Sequence, residues 1–444
     1  MSLAEHFKDF CEEELPIEES EFDKWCGKWC GRLKKITKKL NKKYYPEDDF
    51  EDIESENCYI VGSVGRGTAI AKTSDFDCIF KLPQEVYDKF NNHSGNGQSK
   101  LLQEVKNEIA LSYPSTKIKG DGQVVSITFT SSPAGTIELV PAFEQDNGEF
   151  KHPDTHDGGS WKLTKPTPEI SECNRLKDET EGHFINFCRL LRKWKNKNGF
   201  VFKGLLIDTM VSKYLEDENI NLIRYSDYEE LIPELFKFLS EQDKERSYWF
   251  ALSSNQQIEN SDNGKFITKA KKTYNLLKDS TSLIKDYREI FGNQFAKSDS
   301  SASNMIAPEE QFIEDMFPIH IRYNLELDCD VTQKGFRKYT LRNILSRGFK
   351  LKDKKSLDFY ILNTSIPSAL SGVEFFWKVR NVGVEAIKRG RERGQIIKGG
   401  TKKHENTEFK GMHYVECYAI HEGVVIARGR IEVPIDPYSK IHSI

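Results

Sequence analysis

Three carboxylates in the N-terminal third of the sequence have the spacing of a metal site. Asp75 and Asp77 are separated by one residue in the segment SDFD, and Glu138 lies in the segment GTIELVPAF. Alternate side chains of a strand point to the same face, so the two aspartates would lie side by side on a strand. Adjacent carboxylates repel each other unless a cation lies between them. With Glu138 on a neighbouring strand, we predict a site for two divalent ions, Mg²⁺ or Mn²⁺, of the kind that catalyses in-line displacement at phosphorus.

A glycine-rich turn precedes the two aspartates. The segment GSVGRGT places Gly62 and Ser63 directly after a strand-like run, and Gly67 and Thr68 complete the same loop. Glycine lets the backbone approach a phosphate closely, and the backbone N–H groups and the Ser63 hydroxyl can then bind phosphate oxygens. The sequence lacks the GxxxxGK[ST] pattern of a P-loop, so we predict a phosphate-binding turn of another type.

Strands must position these residues. Runs rich in β-branched and aromatic residues predict strands at 58–61, 76–82, 124–130 and 136–140. In the last of these, Glu138 faces the same way as Thr136 and Val140, while the intervening Ile137 and Leu139 face the core.

Two amphipathic helices flank these strands. Apolar residues at helical spacing predict a basic helix over 22–44, with an apolar stripe of Phe22, Trp25, Trp29, Leu33, Ile36 and Leu40. A second helix is predicted around 184–197, with one apolar face formed by Phe184, Phe187, Cys188, Leu191 and Trp194. Both helices carry many lysines and arginines, which is typical of a solvated face and does not by itself support binding of long nucleic acids.

Composition restricts the class of protein. The chain has 444 residues, which predicts roughly two to three domains. Its net charge of −4 excludes a general polyanion binder. The acidic N-terminus lacks a signal-peptide pattern, and no apolar run has membrane-spanning length. Nine cysteines without a CxxC pair predict reduced thiols, so we expect a cytoplasmic protein that does not contact a membrane.

The last third of the chain changes character. A polar, serine-rich segment at 293–305 is typical of a linker, and the residues after it predict a series of strands ending in a hairpin at 421–423. One cluster in this part has the chemistry to bind a nucleobase and a phosphate, because it combines an aromatic ring with cations. Its members are Trp377, Lys378, Arg380 and Asn381, near Arg389, Arg391 and Arg393. The alternative is a strand with one buried tryptophan and a solvated basic turn.

The segments GSVGRGT, SDFD and IELVPAF resemble the nucleotidyltransferase core of the polymerase-beta-like superfamily. The resemblance covers roughly residues 20–290 and is closer to the branch of the oligoadenylate synthases and the bacterial cGAS/DncV-like nucleotidyltransferases (CD-NTases, the SMODS family). It implies an α+β fold, with a two-lobed polymerase-beta-like or oligoadenylate-synthase-like core followed by the β-rich C-terminal domain.

The same resemblance implies roles for individual residues. Gly62 and Ser63 would bind the triphosphate, and Asp75, Asp77 and Glu138 would be the catalytic metal ligands. On the RLLRKW helix, Arg192 or its neighbour Lys193 would contact the phosphates, the alternative being a solvent-facing basic surface for both. The third carboxylate of the family is usually aspartate, whereas this chain has a glutamate, whose side chain is longer by one methylene.

The C-terminal segments FWKVRNVGVEAIKRGRERGQI and GMHYVECYAIHEGVVIARGRIEVPI resemble the AGS-C domain, which is regarded as a sensor in nucleotide-signal synthases. That resemblance covers roughly 308–436 and leaves the ligand of the domain open. We therefore predict a catalytic lobe with its N-terminal helix at 1–180, a helical lobe at 181–300 and a sensor domain at 308–444.

The resemblances imply an enzyme that joins ATP, and another nucleoside triphosphate where the product contains one, into a cyclic or short linear oligonucleotide. Pyrophosphate is released, and the product would act on a downstream effector in bacterial antiphage signalling. Two alternatives stay open from the sequence: a weak or inactive nucleotide-binding sensor, suggested by Glu138, and nucleotidyl transfer to a macromolecule. Base specificity, linkage and ring size do not follow from the sequence.

Overall fold

The structure, a computed structural model, describes residues 1–27, 31–131, 133–218, 220, 222–297 and 309–436. The chain divides into two compact units, Met1–Trp194 with Phe202–Ala296 and Lys195–Val201 with Lys297–Ile444. Helices and a mixed sheet build the first unit, and separate antiparallel sheets dominate the second. The expected fold class is thereby confirmed. The finer boundaries predicted at 180 and 300 stay a prediction.

Residues 1–296 contain twelve described α-helices, which are α1 (Leu3–Asp9), α2 (Glu19–Cys26), α3 (Arg32–Tyr44), α4 (Gly62–Gly65), α5 (Gln84–Asn91), α6 (Gly97–Ser112), α7 (Pro166–Glu179), α8 (His183–Asn198), α9 (Gly204–Asp217), α10 (Tyr228–Ser240), α11 (Lys265–Lys278) and α12 (Leu283–Phe291). A π-helical turn over Phe10–Glu14 continues α1. Among the described helices, none combines the length and the apolar character that crossing a membrane requires.

One seven-stranded sheet forms the centre of the first unit. Its strands are β1 (Cys58–Ile60), β2 (Asp75–Lys81), β3 (Lys117–Asp121), β4 (Val124–Phe129), β5 (Gly135–Glu144), β6 (Phe150–Asp154) and β7 (Ser160–Thr164). The order is β1-β2-β5-β4-β3, and β6 pairs with both β5 and β7. Strands β2 and β5 are parallel, so the chain crosses over between them through α5, α6, β3 and β4. The short strands β8 (Tyr248–Phe250) and β9 (Gln257–Glu259) form a separate ladder.

Side chains alternate along the central strands as predicted. In β5, Ile137 and Leu139 are buried, whereas Thr136, Glu138 and Val140 are half-buried on the other face. The buried side chains join a core that includes aromatic and aliphatic residues of α3, α6 and β2. This packing fixes which face of the sheet carries the carboxylates.

The predicted helix over 22–44 is wrong in one respect, because two helices, α2 and α3, occupy this stretch. Gly27 ends α2 with an extended backbone, and Gly31 precedes α3 in the same conformation. Phe22 is exposed at 37 %, whereas Trp25 is fully buried against Phe76. The two glycines therefore break the stripe, and Trp29 lies outside the described residues. By contrast, the apolar face predicted for α8 is entirely buried.

Two four-stranded antiparallel sheets build the second unit. The strands are β10 (Leu325–Thr332), β11 (Tyr339–Thr340), β12 (Ser356–Thr364), β13 (Val373–Arg380), β14 (Arg393–Gly399), β15 (Lys402–Asn406), β16 (Gly411–His421) and β17 (Val424–Ile435). One sheet has the order β11-β10-β12-β15 and the other β14-β13-β16-β17. A shared apolar core contains residues of both sheets. The predicted hairpin connects β16 to β17, where His421 pairs with Val424.

Candidate active site

Parallel pairing of β2 with β5 brings the three predicted carboxylates together. Asp77 lies opposite Glu138 in the register, and Asp75 lies opposite Thr136. One carboxylate oxygen from each of Asp75, Asp77 and Glu138 lies within 4.8 Å of the others, and all three residues are half-buried. The buried side chains of β2 and β5 pack in the same core and thereby fix the register of the two strands. The carboxylates consequently lie on the same, opposite face of the sheet.

The donor set fits a hard divalent cation. Carboxylate oxygens are the ligands that Mg²⁺ and Mn²⁺ prefer, and three on one open face leave room for water or substrate oxygens. Glu138 reaches this group despite its extra methylene, because its oxygen meets the same 4.8 Å limit as those of the aspartates. The prediction that these three residues lie together is confirmed. The identity and number of the ions stay predictions.

Gly62 lies directly against this group. Its φ is +62°, in the left-handed region, and a Cβ atom placed there would overlap the carboxylate of Asp77. The preceding backbone N–H of Val61 donates to the carbonyl of Asp77 at 2.9 Å, which fixes the turn to β2. A side chain at position 62 would thus displace a predicted metal ligand.

The loop after Gly62 closes on Ser63. The carbonyl oxygen of Ser63 accepts hydrogen bonds from the N–H groups of Thr68 and Ala69, at 2.9 and 3.0 Å. Gly67 permits this closure with a φ of +72°. The loop therefore has a defined shape, and it presents the Gly62–Ser63 turn beside the carboxylates, as the sequence predicted.

Asp208 on α9 binds two residues of the loop that follows Gly62. Its carboxylate is fully buried and accepts from Arg66 Nε at 2.8 Å and from Thr68 Oγ1 at 3.1 Å. Burial opposes its ionisation, but the guanidiniums of Arg192 and Arg66 more than offset this and lower its pKa to about 2. Two residues of the loop are thus held by one buried negative charge.

The structure decides one of the two alternatives that the sequence left open for Arg192. It is buried rather than solvent-facing, and its guanidinium makes a two-pronged ion pair with Asp208, at 2.6 and 2.9 Å. Its other hydrogen bonds go to the carbonyls of Cys188 and Gly204. The solvent-facing alternative is therefore wrong for Arg192, and this ion pair leaves it a positioning role behind the loop. Contact between Arg192 and a phosphate remains an untested expectation.

Lys193 is half-buried, and its ammonium donates to Gln294 Oε1. It lies one position further along α8 than Arg192, and this hydrogen bond connects it to the end of the first unit. Its predicted contact with phosphate likewise stays a prediction.

Sequence reasoning missed Asp208, although a signal was present. In the segment KGLLIDTMVSKYL, this aspartate lies between the apolar runs 205–207 and 210–211, and a charge inside a buried helix needs a partner. Two arginines, Arg66 beside the glycine turn and Arg192 on α8, were the matching cations. Pairing them required the fold.

In the second unit, most of the predicted ligand cluster is engaged within the protein. Trp377 is buried, and its Nε1 donates to the carbonyl of Gly400 at 2.8 Å. Lys378 and Arg380 are buried and contact the two oxygens of Glu310, at 2.7 and 2.9 Å. Burial opposes ionisation of Glu310, but these two cations hold its pKa below the ordinary value. Asn381 differs from the others, because it lines a cavity.

Two family models match the chain. Residues 1–176 match the Second Messenger Oligonucleotide or Dinucleotide Synthetase domain, SMODS. Residues 307–436 match the Adenylyl/Guanylyl and SMODS C-terminal sensor domain, AGS_C. The first match contains the glycine turn and all three carboxylates, and the second contains both sheets of the second unit. None of the curated proteins compared with the chain is similar to it.

Three solved structures resemble parts of the chain. CdnC of E. coli MS115-1, determined with ATP, is 17 % identical with a TM-score of 0.47 over 66 % of this chain and 98 % of that chain. CdnG of Bradyrhizobium diazoefficiens, in complex with GTP, is 9 % identical with a TM-score of 0.45 over 68 % and 99 %. DncV of Vibrio cholerae, in its apo form, is 14 % identical with a TM-score of 0.43 over 68 % and 88 %.

Proposed function

We propose that this chain, a nucleotidyltransferase, is a metal-dependent synthase of a nucleotide second messenger. Its SMODS domain lies at residues 1–176 and its AGS_C domain at residues 307–436. It joins nucleoside triphosphates into a cyclic or short linear oligonucleotide. A hydroxyl of one nucleotide forms a bond to the α-phosphorus of another, and the bond to pyrophosphate breaks.

In the first unit, separate groups of residues would bind the metal ions and the triphosphate. Asp75, Asp77 and Glu138 hold two Mg²⁺ or Mn²⁺ ions on one face of the sheet. Bound there, the ions supply charge stabilisation to the attacking and leaving oxygens. The Gly62–Ser63 turn, next to Asp77, positions the triphosphate through backbone N–H groups and the Ser63 hydroxyl.

One observation supports this function above the others: three carboxylates converge within 4.8 Å beside a glycine whose Cβ would overlap one of them. A solvated strand end would need neither the convergence nor the glycine. An adenine-containing product and a role in bacterial antiphage signalling are further parts of the proposal. They rest on the resemblance of residues 20–290 to the CD-NTases.

The test is an incubation of the purified full chain with four labelled nucleoside triphosphates and Mg²⁺ or Mn²⁺. Products are treated with phosphatase and resolved by chromatography and mass spectrometry. Asp75→Asn and Asp77→Asn should abolish a phosphatase-resistant product. The matched control is Glu144→Gln, which removes a carboxylate paired with Lys81 at the exposed end of β5, the strand that carries Glu138.

A product that is formed by the wild type and by Glu144→Gln, but by neither asparagine variant, would support the function and identify the bases. A product that persists in Asp77→Asn would contradict the assignment of the metal ligands. Binding of labelled Mn²⁺ to the wild type but not to Asp77→Asn provides a readout that does not depend on an unknown activator.

A further inference from the structure

The two sheets of the second unit enclose a cavity of about 220 Å³. Residues of β12 and β15 line it from one sheet, and residues of β13, β16 and β17 line it from the other. This volume is far above that of a single water site and below the range of sites for large ligands, so it suits one small organic molecule. The cavity lies entirely within the AGS_C match.

Apolar and aromatic side chains form the inner wall. Phe359 and Phe409 are buried at the cavity, together with Val379 and Val415. The ring of His413 lies 5.2 Å from that of Phe409 at an angle of 90°. Aromatic side chains in the lining of a cavity favour a ligand with a flat ring.

His413 contributes a ring rather than a charge. Its Nδ1 accepts from the backbone N–H of Val382 at 3.1 Å, so Nε2 carries the proton and donates to the carbonyl of Phe409 at 3.0 Å. Burial lowers the pKa of His413 below its ordinary value. Both nitrogens are therefore used within the protein, and a ligand meets an uncharged imidazole.

Two arginine–glutamate pairs lie at the polar end of the cavity. Arg393 on β14 contacts Glu405 on β15 with two hydrogen bonds, at 2.6 and 3.1 Å, and thereby connects the two sheets. Arg391 pairs with Glu408, and both of these side chains are exposed by half or more. Arg393 also has a φ of +60°, which few residues other than glycine adopt, at an irregularity in the pairing of β13 with β14. Backbone strain of this kind is found at ligand sites.

The chain segment that supplies the two arginines is basic, although the lining itself balances Arg391 and Arg393 with Glu405 and Glu408. Residues 384–410 contain eight lysines and arginines against four glutamates, although the whole chain is acidic. Arginine pairs with phosphate through two parallel hydrogen bonds, as it does with carboxylate, so a phosphate group can replace Glu408 on Arg391. An exposed pair of this kind contributes little by itself, so the exchange is energetically feasible.

We infer that this cavity is the ligand site of the C-terminal domain, and that its ligand is a nucleotide whose base packs against the aromatic lining while its phosphate binds Arg391 and Arg393. Asn381 and Asn406, which also line the cavity, supply amide groups for the edge of the base. Of the cluster predicted from the sequence, Asn381, Arg391 and Arg393 line this cavity, whereas Trp377, Lys378 and Arg380 do not. The ligand has two sources, a free 5′-nucleotide or one nucleotide of a cyclic dinucleotide.

The inference is tested by equilibrium dialysis of the full chain in EDTA, which silences metal-dependent binding in the first unit. The probes are the four 5′-monophosphates, the matching nucleosides, inorganic phosphate and cyclic dinucleotides. One nucleotide should bind with unit stoichiometry and more tightly than its nucleoside or than phosphate. Arg391→Ala and Arg393→Ala should each weaken binding by about tenfold or more, since hydrogen bonds to charged groups are among the stronger ones.

Two controls make the result specific. Lys398→Ala removes an equally exposed cation, paired with Glu374 on the same sheet and outside the cavity, and should leave binding unchanged. Asp77→Asn should also leave it unchanged, which separates this site from the proposed synthase site. Binding of a monophosphate or of a cyclic dinucleotide, weakened by the arginine variants, supports the inference and names the source. The inference is overturned if neither binds, if phosphate alone binds as tightly, or if both arginine variants bind like the wild type.

Discussion

Replacement of Asp208 by asparagine should destabilise the first unit strongly. The carboxylate is fully buried and contacts three side chains, Arg66, Thr68 and Arg192. Asparagine has nearly the same shape, but it removes the charge and turns an N–H group toward a guanidinium. Buried Arg192 would then lose its counter-ion, and buried Arg66 would keep the more distant Glu169, at 3.7 Å.

The expected magnitude follows from that geometry. Removing one partner of a buried ion pair costs roughly 3–5 kcal/mol, because the remaining charge stays desolvated. Asp208 serves two guanidiniums, so we expect a loss in the upper part of this range at neutral pH. Urea unfolding should show it as a lower midpoint, and hydrogen exchange should show faster opening of peptides from 204–217 and 62–68.

The same carboxylate predicts a pH dependence of the wild type. In the folded protein the pKa of Asp208 is about 2, below the ordinary value of 3.8. As the pH falls, the carboxyl is therefore protonated in the unfolded chain before it is protonated in the folded protein. The stabilisation is fully present above pH 4 and is lost as the pH falls toward 2, and it amounts to about 2 kcal/mol. Asp208→Asn should lack this part of the acid dependence.

Asp217→Asn is the matched control, because Asp217 is exposed at the end of the same helix. An exposed substitution of this type should change the unfolding free energy by no more than about 0.5 kcal/mol. If Asp208→Asn destabilises the protein no more than Asp217→Asn does, the argument for a shared buried counter-ion is wrong.

Three further substitutions test the two units. Gly62→Ala should reduce product formation by about tenfold or more, because its Cβ overlaps the Asp77 carboxylate, and it should also lower the thermal midpoint, because alanine is strained at a φ of +62°. Turnover measured well below the melting transition of the variant separates the two effects. Glu138→Asp should weaken Mn²⁺ binding, because the shorter side chain places its carboxylate further from those of Asp75 and Asp77. An unchanged dissociation constant for Mn²⁺ would contradict this. Glu416→Gln should cost the second unit roughly 3–5 kcal/mol in urea unfolding, since it leaves buried Arg428, 2.6 Å away, without its carboxylate; a loss below about 1 kcal/mol would refute that reasoning.

Much of the candidate site could be predicted from local patterns. The alternation of Ile137, Glu138 and Leu139 indicates which face of β5 carries the carboxylate. This prediction requires only that alternate side chains of a strand point to the same face. The spacing of the two aspartates in SDFD likewise predicts that both lie on one face of β2. That β2 and β5 are neighbours does not follow from either strand, because they pair only after a long crossover.

The role of Arg192 could not be predicted from its own helix. Helical periodicity identifies the apolar face of α8, but it does not identify the partner of a cation beside that face. The partner, Asp208, lies on the next helix, and the same carboxylate also binds Arg66 from the glycine turn. The break between α2 and α3 is a different case, since Gly27 and Gly31 were visible in the sequence and outweighed the apolar stripe.

The parallel pairing of β2 and β5 has a consequence for how the protein acquires its activity. Asp77 and Glu138 meet only when β5 pairs with β2, and this pairing spans the whole crossover through α5, α6, β3 and β4. Closing such a long loop is slow and comes late in folding, because its entropy cost precedes the contacts that offset it. A nascent or partly folded chain therefore carries the two aspartates without the glutamate. The proposed synthase would therefore become competent only once β2 and β5 are paired, and the topology ties its activity to completion of the central sheet.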